Sequence, residues 1–271
     1  MKKTAILAAK IVAAKKLRLM KKIVLAFTFL MFYAAGSLSA QKTFRFGFQA
    51  SPTWSWMRTD DKKLEGVSSN WGLRLGAVGE YYFATNYAFI AGLGFGFNQG
   101  GNIQNGYDHG KFWTKSQLAD QLKEIPAEAK LHYRINYVEI PFGLKMRGGS
   151  GEDNPLKFYA EIPTFTLGFV SKATGDIVGD NNLPQANADD ANDINIREEV
   201  KGLSLAWGLG GGIEYELAAN ATLVAGLAYQ QQFTDATKDS GQVYPAAISD
   251  PLTDASKATI RMVTLRVGIF F

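Results

Sequence analysis

Cysteine is absent from the 271 residues. Disulfide frameworks, thiolate metal centres, cysteine nucleophiles and lipidated-cysteine anchors are therefore excluded. Histidine is nearly absent, and His109 and His132 lie in no Gly-x-Ser-x-Gly or His-Glu-x-x-His pattern. Charged residues make up only 20 %, and the formal net charge of +4 is unevenly placed. Residues 1–40 hold eight Lys/Arg and no Asp or Glu, which leaves 21 basic against 25 acidic residues beyond them. The basicity belongs to the N-terminus, and no nucleic-acid partner is expected.

Long apolar runs are also missing, apart from Ile23–Ala35. That run follows Lys21-Lys22 and precedes Gly36-Ser37-Leu38-Ser39-Ala40. A positive region, a short apolar stretch and a small-residue site describe a secretory signal peptide, since a membrane-spanning helix needs about 20 apolar residues. Cleavage is expected after Ala40, or one residue earlier. Residues 1–19 read as an extended leader or a mis-assigned start, with Met20 as a second start. The alternative for the whole segment is a surface amphipathic helix.

What the chain has in plenty is glycine (28), phenylalanine (18) and tyrosine (11), arranged after Gln41 with period two. Phe44, Phe46, Phe48, Ala50, Trp54 and Trp56 alternate with Arg45, Gly47, Gln49, Ser51, Thr53 and Ser55, which predicts a strand with one apolar and one small or polar face. Seven further strands are predicted: Asn70–Phe83, Tyr87–Phe97, Lys130–Arg147, Pro155–Val170, Val200–Leu217, Ala221–Phe233 and a last one ending at Phe271. In the fourth, the apolar residues change from odd positions (Leu131 to Tyr137) to even ones (Val138 to Leu144), predicting a bulge near Tyr137 and Val138. In the fifth they change around Pro163, a residue tolerated at bulges.

Connections alternate as well. Those at 84–86, 148–154 and 218–220 are short, and those at 57–69, 99–129, 171–199 and 235–257 are long and polar. The predicted fold is all-β, an eight-stranded antiparallel up-and-down transmembrane β-barrel over residues 41–271, with short turns periplasmic and long loops outside. Tyr81, Phe83, Tyr87, Tyr215 and Phe271 fall where an interfacial aromatic girdle belongs. A soluble sandwich or lipocalin-like barrel is the alternative; it would turn the apolar face inward.

The run Leu131-His132-Tyr133-Arg134-Ile135-Asn136-Tyr137-Val138-Glu139-Ile140-Pro141-Phe142-Gly143-Leu144-Lys145 resembles the PorT-type outer-membrane β-barrel family. So do Lys157–Glu161, Gly208–Tyr215 and the ending Val263–Phe271. The resemblance implies an eight-stranded barrel in the outer membrane of a Gram-negative cell and supplies no catalytic residues. Its namesake is associated with a secretion machinery.

Candidate sites are few. No catalytic, cofactor-binding or metal-binding residue and no cofactor is assigned. A hydrolase built on His132 and a distant Ser or Asp has no spacing to support it. Gly92-Leu93-Gly94-Phe95-Gly96 and Gly208-Leu209-Gly210 lie inside strands and open no helix, so they are wall glycines and not dinucleotide loops. Asp176, Asp180, Asp189, Asp190, Asp193, Glu198 and Glu199 form an acidic loop without EF-hand spacing, to be weighed as solvated or as Ca²⁺-binding. Leu118, Leu122 and Ile125, after Ser116 and before Pro126, predict a short amphipathic helix that caps the lumen or meets a partner. On the inward parity Arg45, Arg74, Lys145, Lys157 and Arg266 face Glu80, Glu139, Glu161, Glu214 and Glu216, a charge-balanced set expected to plug the barrel.

The function expected is that of a non-enzymatic outer-membrane protein, structural or binding a ligand or protein partner through its loops or periplasmic turns. An accessory subunit of an envelope secretion machine comes second, then a narrow solute channel. Expected partners are outer-membrane lipid and, during insertion, the barrel assembly machinery.

Overall fold

The computed structural model describes residues 43–149, 154–179, 188–218, 220–238, 240–245, 250–254 and 257–271. The expected signal peptide at 1–40 lies outside these residues. Eight long strands run β1 Phe44–Thr59, β2 Leu64–Ala84, β3 Tyr87–Asn105, β4 Lys130–Gly148, β5 Leu156–Val178, β6 Leu203–Ala218, β7 Ala221–Gln232 and β8 Ala258–Phe270. Each pairs with its sequence neighbour, and β1 pairs antiparallel with β8, Gly47 opposite Phe270 and Trp54 opposite Val263. Backbone bonds between Phe46 and Phe271 complete the seam. The ring is a closed antiparallel barrel without an edge, which is what a strand structure in lipid requires.

Alternation sets the two surfaces. Phe48, Trp71, Phe89, Phe158 and Leu227 all point outward and stand more than half exposed. An apolar surface of this extent belongs against lipid and not water. On β3 the outward set Tyr87, Phe89, Ala91, Leu93, Phe95 and Phe97 covers 11 positions, or roughly 25 Å along the membrane normal at a barrel tilt near 40°. Aromatic rings mark both ends of the belt. Phe83 lies 4.7 Å from Phe89 near the short turns, and Trp54 lies 4.5 Å from Trp71 at the opposite rim.

Above the belt the apolar side changes. Met57, Leu64, Ile103, Leu131, Tyr133, Ile135 and Ile260 point inward and join Phe112, Trp113, Leu122, Ile125, Ile194 and Ile196 from the connections in one buried cluster. This corrects the reading of the fourth strand. On β4 the buried residues Leu131, Tyr133, Ile135, Tyr137, Glu139 and Lys145 keep one parity throughout, so no face is exchanged. The surroundings change instead, from lipid outside to a packed core inside. The register does shift at Asn136/Tyr137, but the extra residues sit on the neighbours, Ser171 on β5 and Asn98 on β3. Asn98 takes the left-handed backbone (φ 56°) that Asn tolerates better than most residues, and its N–H donates to Asn136 Oδ1 at 2.9 Å. The irregularity expected near Pro163 is present, between Glu161 and Thr164.

Two other expectations need correcting. The connection placed at 57–69 is almost entirely strand, because β1 and β2 continue past the membrane and leave only 60–63 between them. The helix expected from Ser116 to Pro126 is a single 3-10 turn, Asp120–Leu122, followed by the two-residue strand Ile125–Pro126. Leu122 and Ile125 are nevertheless buried; their spacing recorded burial under the mouth and not helical periodicity.

Candidate functional site

The lumen and the cap above it hold the polar chemistry of this molecule, in three strata. The lowest, near the short turns, is ionic. Lys145 from β4 is 1 % exposed, and its ammonium lies 2.5 Å from Glu80 Oε1 and contacts Glu214. Arg45 on β1 reaches Glu214 at 3.0 Å and Glu80 at 3.5 Å. Tyr82 donates to Glu80 Oε2 at 2.8 Å, and Arg147 stands 3.8 Å from Glu214. Aromatic rings wall this layer, with the Lys145 ammonium 4.5 Å from the Tyr159 centroid and the Arg45 guanidinium 5.4 Å from that of Phe270. Such contacts favour a cation that has left water.

The middle stratum is a hydrogen-bonded lattice. Arg74 Nε donates to Glu139 at 2.7 Å, and Gln99 donates to the other Glu139 oxygen at 2.7 Å. Arg74 also donates to Gln230, which donates to Thr166, and Arg266 pairs with Glu161. Gly96 is needed where the lattice lies flat on the wall, since a Cβ there would stand 1.9 Å from Gln99 Nε2. The space left among these side chains is about 70 Å³, enough for a few waters.

Four of the five expected cations and four of the five expected carboxylates therefore meet inside the barrel. Lys157 and Glu216 join none of the ion pairs among the described residues, while Arg147 joins and was not anticipated. Its signal was available: it shares the parity of Lys145.

The top stratum is the apolar cluster already described, fastened by the connections. Glu199 is 2 % exposed, and its carboxylate accepts from the Lys115 backbone, from Ser116 at 3.5 Å and from Ser240 at 2.6 Å. One carboxylate so ties together three of the connections. Trp113 donates its indole N–H to the Tyr133 hydroxyl at 2.9 Å. A small four-stranded sheet of Leu252–Thr253, Gln242–Tyr244, His109–Lys111 and Ile125–Pro126 covers the mouth. Tyr107, in the same cap, donates to Asp61 at 2.7 Å; burial and this bond push its phenol up to about 12.

Both histidines are held by other polar groups. His132, above the belt, lies 3.1 Å from Asp176 through Nδ1 and 2.9 Å from Asn70 Oδ1 through Nε2. His109 stacks on Tyr244 at 4.3 Å and faces Asp108 and Glu124 at 3.1 Å each. Among the described residues no Ser or Thr hydroxyl is bonded to either ring. The acidic segment gathers no cluster of three possible metal ligands among the described residues: Arg134 brings Asp176 (2.6 Å) and Asp193 (2.8 Å) together, while Glu199 turns into the cap. Asp180 lies outside the described residues.

The solved structures most similar in fold include Neisserial surface protein A, at 13 % identity over 83 % of this chain and 95 % of that one, with a TM-score of 0.39. OprG from Pseudomonas aeruginosa matches at 14 % identity over 84 % and 96 %, with a TM-score of 0.43. Ail of Yersinia pestis matches at 10 % identity over 84 % and 99 %, with a TM-score of 0.36 for one of its structures crystallised with a heparin analogue. No curated protein is similar in sequence. The family model for the outer membrane protein beta-barrel domain matches residues 36–238, three quarters of the chain, so this closed, belted barrel belongs to the outer membrane protein beta-barrel domain family.

Proposed function

We propose that this integral outer-membrane barrel is a non-conducting, non-enzymatic protein that presents its capped end to the outside as a binding surface. The observation that carries the reading is the filling of the lumen at every level, with an ionic layer, a hydrogen-bonded lattice and an apolar core one above the other. An eight-stranded barrel has room for side chains or a small ligand and little more. Atoms fixed in the lumen leave the cap as the surface free to recognise something. Residues 1–40 serve as the export signal in this reading.

The test is a pull-down of the barrel from detergent-solubilised outer membranes, repeated with His109→Ala/Tyr244→Ala in the cap sheet. A protein retained by the wild type and lost with the cap variant supports a binding surface. Equal retention by both, or no retained protein, argues against it. The secretion-accessory reading rests on the resemblance of the Leu131–Lys145 run, and copurification of other envelope proteins independent of the cap would favour it.

A further inference from the structure

At the upper edge of the belt, an open cleft of about 520 Å³ lies between the ends of β6, β7 and β8. Its floor is apolar, with Leu203 47 % and Phe233 57 % exposed. Its walls carry Lys201, Lys238 and Lys257. The carboxylate within it, Asp235, is 6 % exposed at its side chain and lies 2.8 Å from Lys201. That carboxylate also accepts from the backbone of Ala258 at 3.0 Å and of Thr237 at 3.2 Å, so its charge is directed into the protein. Glu198 stands 3.8 Å from Lys238 but is 74 % exposed, a separation and exposure at which water screens most of the attraction.

Depth decides which anion fits. Leu203 ends the lipid-facing run of β6, and Lys201 lies two residues beyond it, a reach of at most about 7 Å further along the membrane normal. That is the thickness of the interfacial layer on one side of a bilayer, where headgroup phosphates reside. A dissolved phosphate would gain nothing from Leu203 and Phe233, whereas a lipid places acyl chains against them and its phosphate among the ammonium groups. We infer that this cleft binds a phosphorylated lipid of the leaflet next to the cap, with Lys238 and Lys257 contacting phosphate and Leu203 and Phe233 contacting acyl chain. The leaflet is the outer one on the proposed reading that the cap faces outward.

The experiment embeds the full barrel in phosphatidylcholine nanodiscs containing lipid A or lipid A stripped of its phosphates, and measures lipid retained on the protein by native mass spectrometry. Lys238→Gln/Lys257→Gln is the test variant, because it leaves the Lys201–Asp235 pair intact; the heat-dependent gel shift verifies that it folds. The wild type should retain the phosphorylated form preferentially. The variant should lose about twenty-five-fold in that preference, a factor of about five for each lysine. Equal retention of both lipids, or an unchanged preference in the variant, overturns the site. Displacement of the lipid by inorganic phosphate at physiological ionic strength overturns the lipid assignment in favour of a soluble anion. Both leaflets of such a disc are alike, so a negative result bears on the cleft whichever way the barrel faces in cells.

Discussion

The Lys145 ammonium sits 2.5 Å from the Glu80 carboxylate, and each side chain is only 1 % exposed. Two charges so thoroughly removed from water persist because each meets the other and a further partner, Glu214 for Lys145 and Arg45 with Tyr82 for Glu80. Removing one partner leaves the other buried and short of its nearest counter-charge, at a cost of about 1–3 kcal/mol. Glu80→Ala and Lys145→Met should each lower the unfolding free energy by that order, seen as a lower urea midpoint, and the double variant Lys145→Met/Glu80→Leu should cost less than the two together. Strict additivity, read from the heat-dependent gel shift across a urea series, would show that the pair is not coupled.

The middle lattice makes a separate claim. Gly96→Ala places a methyl 1.9 Å from Gln99 Nε2 and 2.8 Å from Glu139 Oε1, so Gln99 must leave its bond to Glu139. A loss of about 1–3 kcal/mol is expected, typical of overpacking. Gln99→Ala in the same chain should recover part of it. If the double variant is no better than Gly96→Ala alone, the clash lies elsewhere.

Much of this was legible in the sequence because lipid and lumen impose opposite demands on alternate residues. Leu73, Leu75 and Tyr81 against Arg74, Gly76 and Glu80 needed no structure to be sorted. The upper thirds of the strands were harder to read. There the outward face meets water and the inward face a core, so Met57 and Leu64 fall out of the pattern and their strands look like a loop. Leu118, Leu122 and Ile125 misled in another way: a connection folded over an apolar mouth buries whichever residues face down, and a spacing of three and four arises without a helix. The closure of three connections on Glu199 was illegible, since no spacing marks a carboxylate that accepts from Lys115, Ser116 and Ser240.

Orientation can be tested because the chain has no cysteine. A single cysteine at Leu252 in the cap sheet, or at Asn86 in a short turn, gives a unique label site. On intact cells a membrane-impermeant maleimide should modify Leu252→Cys and should reach Asn86→Cys only after the outer membrane is permeabilised. The reverse order would turn the barrel over.

Phe271 stands outward and 57 % exposed at the seam, where its backbone pairs with Phe46. An aromatic on the lipid face at the closing seam is suited to recognition during insertion. Deleting Phe271 should reduce the fraction of barrel recovered in the outer membrane, measured by the gel shift of unboiled membranes. Unchanged yield and insertion kinetics would remove that role.

The closed lumen is tested most directly by electrical recording. Residues 41–271, reconstituted in planar bilayers, should give no stable single-channel current, because the ionic layer at Lys145 and Glu80, the lattice at Arg74 and Glu139 and the apolar cluster at Tyr133 and Ile135 each block the path. Sustained, ion-selective openings from the wild-type barrel would contradict the closed lumen and establish a channel in its place.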